Sequence, residues 1–210
     1  MATTRQGITG AFNGAVGPVV GYEWKGRNCM RGRVAARNPR TECQQRGRAV
    51  FGVVSRLWSR MRCAAEIGLR GVASEANFTE TNIFVRLNRH RVRLDDGVSD
   101  IDYTQVCVAQ GRLDGVAFGE PTVVAGEKVE VDFDQLPSQS GCNTDYVYLF
   151  AYAPTFEEGR LSLPARRIDG CVDLQLPPRW TGCEVHLYGF AWDKAFAASP
   201  SEYIGSILFS

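Results

Sequence analysis

A chain of 210 residues, 44% hydrophobic, 22% charged and 10% aromatic, can bury a substantial core in one or two domains. No segment reaches the roughly 20 apolar residues of a membrane helix, and disorder, collagen and coiled coil are excluded by composition. The net charge of +1 conceals a split: residues 1–93 hold 17 basic against 5 acidic residues, and residues 94–210 hold 7 against 18, giving +12 and −11. Such asymmetry points to an acidic partner for the basic half or to self-association between unlike halves. Neutralisation within one monomer is the alternative.

The first ten residues lack an apolar signal segment, so a cytoplasmic protein, or one assembled into a particle, is expected. Residues 7–26 read GITGAFNGAVGPVVGYEWKG. Short β-prone pieces broken by glycine predict an extended ribbon with close backbone approaches. Its apolar residues Phe12, Val16, Val19, Val20 and Trp24 are candidates for adding to the sheet edge of a neighbour. Dinucleotide binding is not expected, because the segment lacks the preceding strand, the following helix and the acidic residue about 20 positions on.

Residues 27–40 carry Arg27, Arg31, Arg33, Arg37 and Arg40 and end near an Asn38-Pro39 turn signal. Thr41 followed by Gln44 has the form of a capping box. Val50, Val54, Leu57, Trp58, Met61 and Ala65 then recur at helical spacing, which predicts one long amphipathic helix over 42–69. A second helix is expected over 75–90, with Phe78, Ile83, Phe84 and Leu87 on its apolar side and Arg86, Arg89, His90 and Arg93 on another, in a basic run that also includes Arg91. These arginines suit phosphates or carboxylates alike, so they mark a candidate anionic-partner or assembly surface.

From Ile101 the period changes to two. Strands are expected at 104–109, 122–125, 128–133, 145–152, 161–168, 171–176, 184–192 and 203–209, separated by Gly, Pro, Ser and Asp. The fold class read from this is α+β, mainly β: a C-terminal Ig-like or fibronectin-III-like sandwich over 101–210, after a 1–100 region of ribbon and basic helices. Eight-stranded jelly rolls leave similar traces.

Seven cysteines, an odd number at irregular spacing, read as reduced thiols, with Cys63 and Cys107 in the core. One disulfide among Cys142, Cys171 and Cys183 stays open. No catalytic set, cofactor or metal site is expected. The acidic stretches 95–102 and 127–134 lack a calcium-loop spacing, and His186 has no evident catalytic partner.

Residues across the chain carry a resemblance. In the N-terminal part these are Gly10-Ala11-Phe12, Gly14 through Gly21, Trp24-Lys25-Gly26, Arg31, Asn38 through Glu42, Gln45-Arg46 and Phe51. The middle adds Ile101-Asp102-Tyr103 and Gly111-Arg112-Leu113. The C-terminal part adds Thr144-Asp145, Ala165-Arg166, Leu176-Pro177, Trp180-Thr181-Gly182, Val185 through Phe190 and Tyr203-Ile204-Gly205. The chain resembles an uncharacterised family of proteins of about this length found in Bacteroidetes-group bacteria, a domain of unknown function. The resemblance implies no catalytic residues, and the arginine excess and the cysteines depart from the family pattern.

The expected function is therefore a non-enzymatic structural protein that self-assembles through its unlike halves, as a virion, tail-like or filament component does. A nucleic-acid-associated protein using the arginine-rich half is the alternative, and an Ig-like adhesive or ligand-binding module is the third. The expected partner is a second copy of the chain, with nucleic acid next and no membrane span.

Overall fold

The computed structural model describes residues 3–4, 10–34, 38, 40–95, 98–124, 128–135, 144–193, 195 and 197–209. By internal contacts the chain forms two units, Met1–Glu42 and Cys43–Ser210. The division at 100/101 expected above follows composition; the division by contacts places both helices with the C-terminal strands.

The first unit is an antiparallel sheet of β1 (Thr3–Thr4), β2 (Phe12–Val16), β3 (Val19–Trp24) and β4 (Arg27–Gly32), in chain order. Two-residue turns set its register. Lys25 and Gly26 both have positive φ, 46° and 75°, as a type I′ hairpin turn requires, so Trp24 pairs with Arg27. Gly17-Pro18 joins Val16 to Val19, with Gly17 at φ 55°. Gly21 has no room for a side chain: a Cβ there would lie 2.2 Å from the Phe12 carbonyl oxygen.

The second unit has three layers. α1 (Glu42–Glu75) and α2 (Glu80–Asn88) form the first. A β5 (Val92–Asp95) and β6 (Val98–Ile101) hairpin follows. The remaining strands are β7 (Val116–Phe118), β8 (Thr122–Val124), β9 (Lys128–Gln135), β10 (Tyr146–Ala153), β11 (Glu158–Leu161), β12 (Ala165–Arg166), β13 (Cys171–Gln175), β14 (Glu184–Trp192) and β15 (Glu202–Leu208). The middle layer is the sheet β11-β10-β14-β15, with β12 also on β10. The outer layer is β13-β9-β7, with β8 continuing the β7 edge along β9. Among the described residues all strand pairings are antiparallel, and the protein is mainly β with two α-helices.

Alternation along β10 and β14 divides the core. Tyr148, Phe150, Tyr152, Tyr188 and Phe190 face the helices and pack against Leu57, Met61, Ala65 and Phe84. Val147, Leu149, Ala151, Val185, Leu187 and Ala191 face the outer sheet, against Val129, Val131, Phe133, Val172 and Leu174. Strands covered on both faces lose polar alternation, which is why this stretch reads as almost continuously apolar.

The long helix continues six residues beyond its expected end. Asn77, at φ 55°, turns the chain out of α1, and the Thr79 side chain caps α2 by accepting the Asn82 N–H at 3.3 Å. The segment 104–109 is not a strand. It opens with a 3-10 turn, Tyr103–Gln105, and the Cys107 and Val108 N–H groups donate to the Asn88 and Ser201 side chains. The expected strand 161–168 consists of the end of β11, β12 and a 3-10 turn, interrupted by Pro164. Cys63 is exposed on α1, not in the core, and Cys107 is partly buried. Cys142 lies outside the described residues, and the six described cysteines are free thiols. Among the described residues no helix is long and apolar enough to cross a membrane.

Candidate functional site

The register of the N-terminal sheet sorts its side chains into two faces, because residues opposite each other point the same way. Val20, Tyr22 and Trp24 share one face with Arg27, Cys29 and Arg31, in the cross-strand pairs Trp24–Arg27, Tyr22–Cys29 and Val20–Arg31. Val20, Tyr22 and Arg31 line a groove of about 310 Å³ on it. Phe12, Val16, Val19 and Met30 occupy the opposite face. Across β2, β3 and β4 only Gly21 is buried, while Val16, Trp24 and Met30 are 54%, 42% and 72% exposed.

All five ribbon candidates lie on β2 and β3, where Val16 and Trp24 are exposed and Phe12, Val19 and Val20 are half-buried. Val19, Val20 and Trp24 lie on β3, whose two edges are both taken, by β2 and by β4. Phe12 and Val16 lie on β2, paired with β3 and in part with β1. Among the described residues the edge with one neighbour along its whole length is β4, Arg27–Gly32. An edge of that kind presents unpaired backbone groups for strand addition.

The arginine candidates separate. Arg27 and Arg31 lie on β4. Arg33 is exposed just beyond it, its N–H donated to the Pro18 carbonyl at 2.6 Å. Arg40 is exposed before α1 at φ 50°, and Arg37 lies outside the described residues. Arg86 and Arg89 are exposed at the C-terminal end of α2, where the helix dipole favours cations. Arg91 donates to the Gln105 side chain, and Arg93 stands opposite Asp100 in the β5–β6 hairpin. The first set belongs to the N-terminal unit and the second to the C-terminal one.

An acidic surface that composition alone did not localise lies on the outer sheet. With Val129, Val131 and Phe133 in the core, Lys128, Glu130, Asp132 and Asp134 point outward from β9. Asp173 on β13 is opposite Glu130, and Val124 on β8 is opposite Lys128. One ion pair, Lys128 to Asp173 at 3.6 Å, offsets part of this charge. The carboxylates follow one another along a strand instead of converging, and among the described residues no three His, Cys, Asp or Glu side chains gather as a metal site.

His186 belongs to an aromatic cluster. Its ring stacks on Tyr103 at 4.7 Å, and its Nδ1 lies 3.0 Å from the Tyr203 hydroxyl. Burial holds its pKa below the ordinary histidine value. Burial also raises the Tyr152 and Tyr188 phenols far above theirs, and the Tyr188 hydroxyl donates to the Tyr103 carbonyl at 2.7 Å. A cavity of about 230 Å³ beside Tyr103 and Tyr152 is also lined by Arg60 and Glu157, which form an ion pair at 3.2 Å. The arrangement joins the helices to the middle sheet.

A family model matches residues 11–205, which takes in β2, β3 and β4 and nearly all of the second unit. The chain belongs to DUF6266, a family of unknown function. No curated protein matches it. Several residues that carried the resemblance have packing roles in this DUF6266 chain. Trp180 is fully buried, a Cβ on Gly111 would meet the Ala198 carbonyl oxygen at 2.2 Å, and one on Gly189 would meet the Phe118 ring at 2.3 Å.

Proposed function

We propose that this DUF6266 protein is a non-enzymatic structural component that self-assembles through its basic N-terminal sheet, as a part of a virion, tail-like particle or filament in the cytoplasm does. One observation carries the reading: a four-stranded sheet with aromatic, aliphatic and arginine side chains on its faces buries only Gly21 across β2, β3 and β4. A sheet gains independent stability by covering an apolar face. The opposite charge of the two halves gives a second copy the complementary potential, which favours encounter and register. A contact between two different surfaces of like copies is heterologous, and it generates rings or open filaments.

The finer fold assignment belongs to the same proposal. Taking β7 with β8 as one strand and β11 with β12 as one, the outer sheet holds the first, second and fifth strands, and the middle sheet the third, fourth, sixth and seventh. This order supports an Ig-like or fibronectin-III-like sandwich with a helical layer added on one side.

The test is the mass of the purified, nucleic-acid-free chain by light scattering on a column, at low and high salt. Species larger than 23.2 kDa that shrink with salt are expected for the intact chain, and a monomer for a chain lacking residues 1–34, which leaves both cores in place. A monomer at every salt concentration sinks the proposal. Nucleic-acid binding is the second reading, favoured by Arg86 and Arg89, which are exposed and have no ion-pair partner among the described residues. It requires retention on generic DNA that weakens steeply with salt.

A further inference from the structure

We infer that the partner surface of the N-terminal sheet is the outward face of β9 and β13 in a second copy of this chain. The inference rests on the self-assembly reading and names the surface that receives the sheet.

Three features of the two faces match. The first is charge. Arg27 and Arg31 stand on the face that carries Val20, Tyr22 and Trp24, and the receiving face carries Glu130, Asp132, Asp134 and Asp173. Arginine forms bidentate contacts with carboxylates, and its weak hydration suits an interface.

The second is spacing. Strands rise about 3.3 Å per residue, so Arg27 and Arg31, four residues apart, are separated by about 13 Å along β4. Glu130 and Asp134 are also four residues apart on β9, with Asp132 midway. Two arginines therefore meet two carboxylates when the strands stack aligned, in either direction. Asp132 and Asp173 lie between and beside them, and Lys128, paired with Asp173, offsets only part of this charge.

The third is shape and apolar content. Both surfaces are sheet faces, which stack about 10 Å apart. Val124, 42% exposed on the receiving face, offers an apolar contact for the Tyr22 and Trp24 rings. A nucleic acid would satisfy Arg27 and Arg31 but would leave the acidic face repelling it.

Charge reversal in two separate chains tests this. One variant carries Arg27→Glu and Arg31→Glu; the other carries Glu130→Arg and Asp134→Arg. All four side chains lie outside both cores, and circular dichroism and thermal unfolding of each variant verify the fold. Each variant alone places like charge against like charge, so its assembly shifts to more than about tenfold higher concentration or disappears. Mixed one to one, the variants restore both contacts: the acidic sheet of the first meets the basic face of the second, and the basic sheet of the second meets the acidic face of the first. Recovery of large species in the mixture, with the two chains alternating, is the expected result.

Wild-type assembly that persists in either variant overturns this pairing while leaving self-assembly intact. So does a mixture that stays monomeric. A monomeric wild type defeats the self-assembly reading itself, and retention of that monomer on DNA that is lost with Arg27→Glu and Arg31→Glu assigns the arginines to a nucleic acid.

Discussion

Asn88 holds both backbone polar groups of Cys107. Its Nδ2 donates to the Cys107 carbonyl at 2.9 Å, and its Oδ1 accepts the Cys107 N–H at 2.8 Å. A third bond, from Nδ2 to the Phe84 carbonyl at 3.1 Å, ties this exchange to α2. The side chain thus takes the place of a neighbouring strand for the 104–109 segment. Replacement by alanine leaves two main-chain groups of Cys107 without those partners, and an unsatisfied buried group costs about 1–3 kcal/mol. Asn88→Ala should lower the unfolding free energy by about 3 kcal/mol, measured by urea titration.

Two glycines of α1 should respond to alanine with opposite signs. In a helix interior alanine is favoured over glycine by about 1 kcal/mol. Gly47 has open space around its missing Cβ, so Gly47→Ala should raise the melting temperature. Gly68 faces the chain at Val108 and Ala109, where a Cβ would lie 2.4 Å from the Ala109 Cβ and 2.7 Å from the Val108 carbonyl oxygen. Overpacking of that kind costs about 1–3 kcal/mol, which outweighs the propensity gain, and Gly68→Ala should lower the melting temperature.

Arg167 is 2% exposed, lies 3.9 Å from the Asp145 carboxylate and donates to the carbonyls of Asp114 and Gly115. Removing one member of a buried pair leaves the other charge uncompensated, at a cost of about 3–5 kcal/mol. Arg167→Ala should show a loss of that size in urea. Arg167→Lys should recover little of it, since an ammonium cannot reach the carboxylate and both carbonyls as the guanidinium fork does.

His186 predicts a pH dependence. Burial depresses its pKa in the folded protein relative to the unfolded value of about 6.5, so below that pH the unfolded chain binds the extra proton. Its contribution to stability is complete above about pH 6.5 and is lost as the pH falls towards the lower folded pKa. His186→Gln keeps a polar partner for the Tyr203 hydroxyl and removes the titration. Urea midpoints at pH 7.5 and pH 5.5 should differ less for the variant than for the wild type.

The elements that could be read from the sequence were those whose packing repeats regularly. The helical spacing of Val54, Leu57, Met61 and Ala65 matches the buried stripe of α1, and the alternation over 184–192 matches β14 residue for residue. The 104–109 segment misled because Val106 and Val108 are buried as strand residues would be, while the Cys107 and Val108 N–H groups donate to the side chains of Asn88 and Ser201, distant in sequence. The N-terminal glycines suggested a ribbon, yet Lys25-Gly26 is a hairpin turn that adds β4 and leaves its outer edge, not the ribbon itself, open. The acidic face was invisible to a count of charges. It follows from the outward alternation of Glu130, Asp132 and Asp134 along β9, and Asp173 joins it only through the pairing of β13.

The four tryptophans lie in four different surroundings. Trp24 stands exposed on the N-terminal sheet, Trp58 packs tilted against Phe84 among the helices with ring centroids 5.4 Å apart, Trp192 ends β14 in the middle sheet beside Tyr146, and Trp180 is sealed in the core between the middle and outer sheets. The N-terminal sheet and the parts of the second unit therefore each carry an intrinsic fluorophore, from water-facing Trp24 to fully shielded Trp180. In single-tryptophan chains, emission colour and quencher access would report separately on each of these parts as it forms or comes apart.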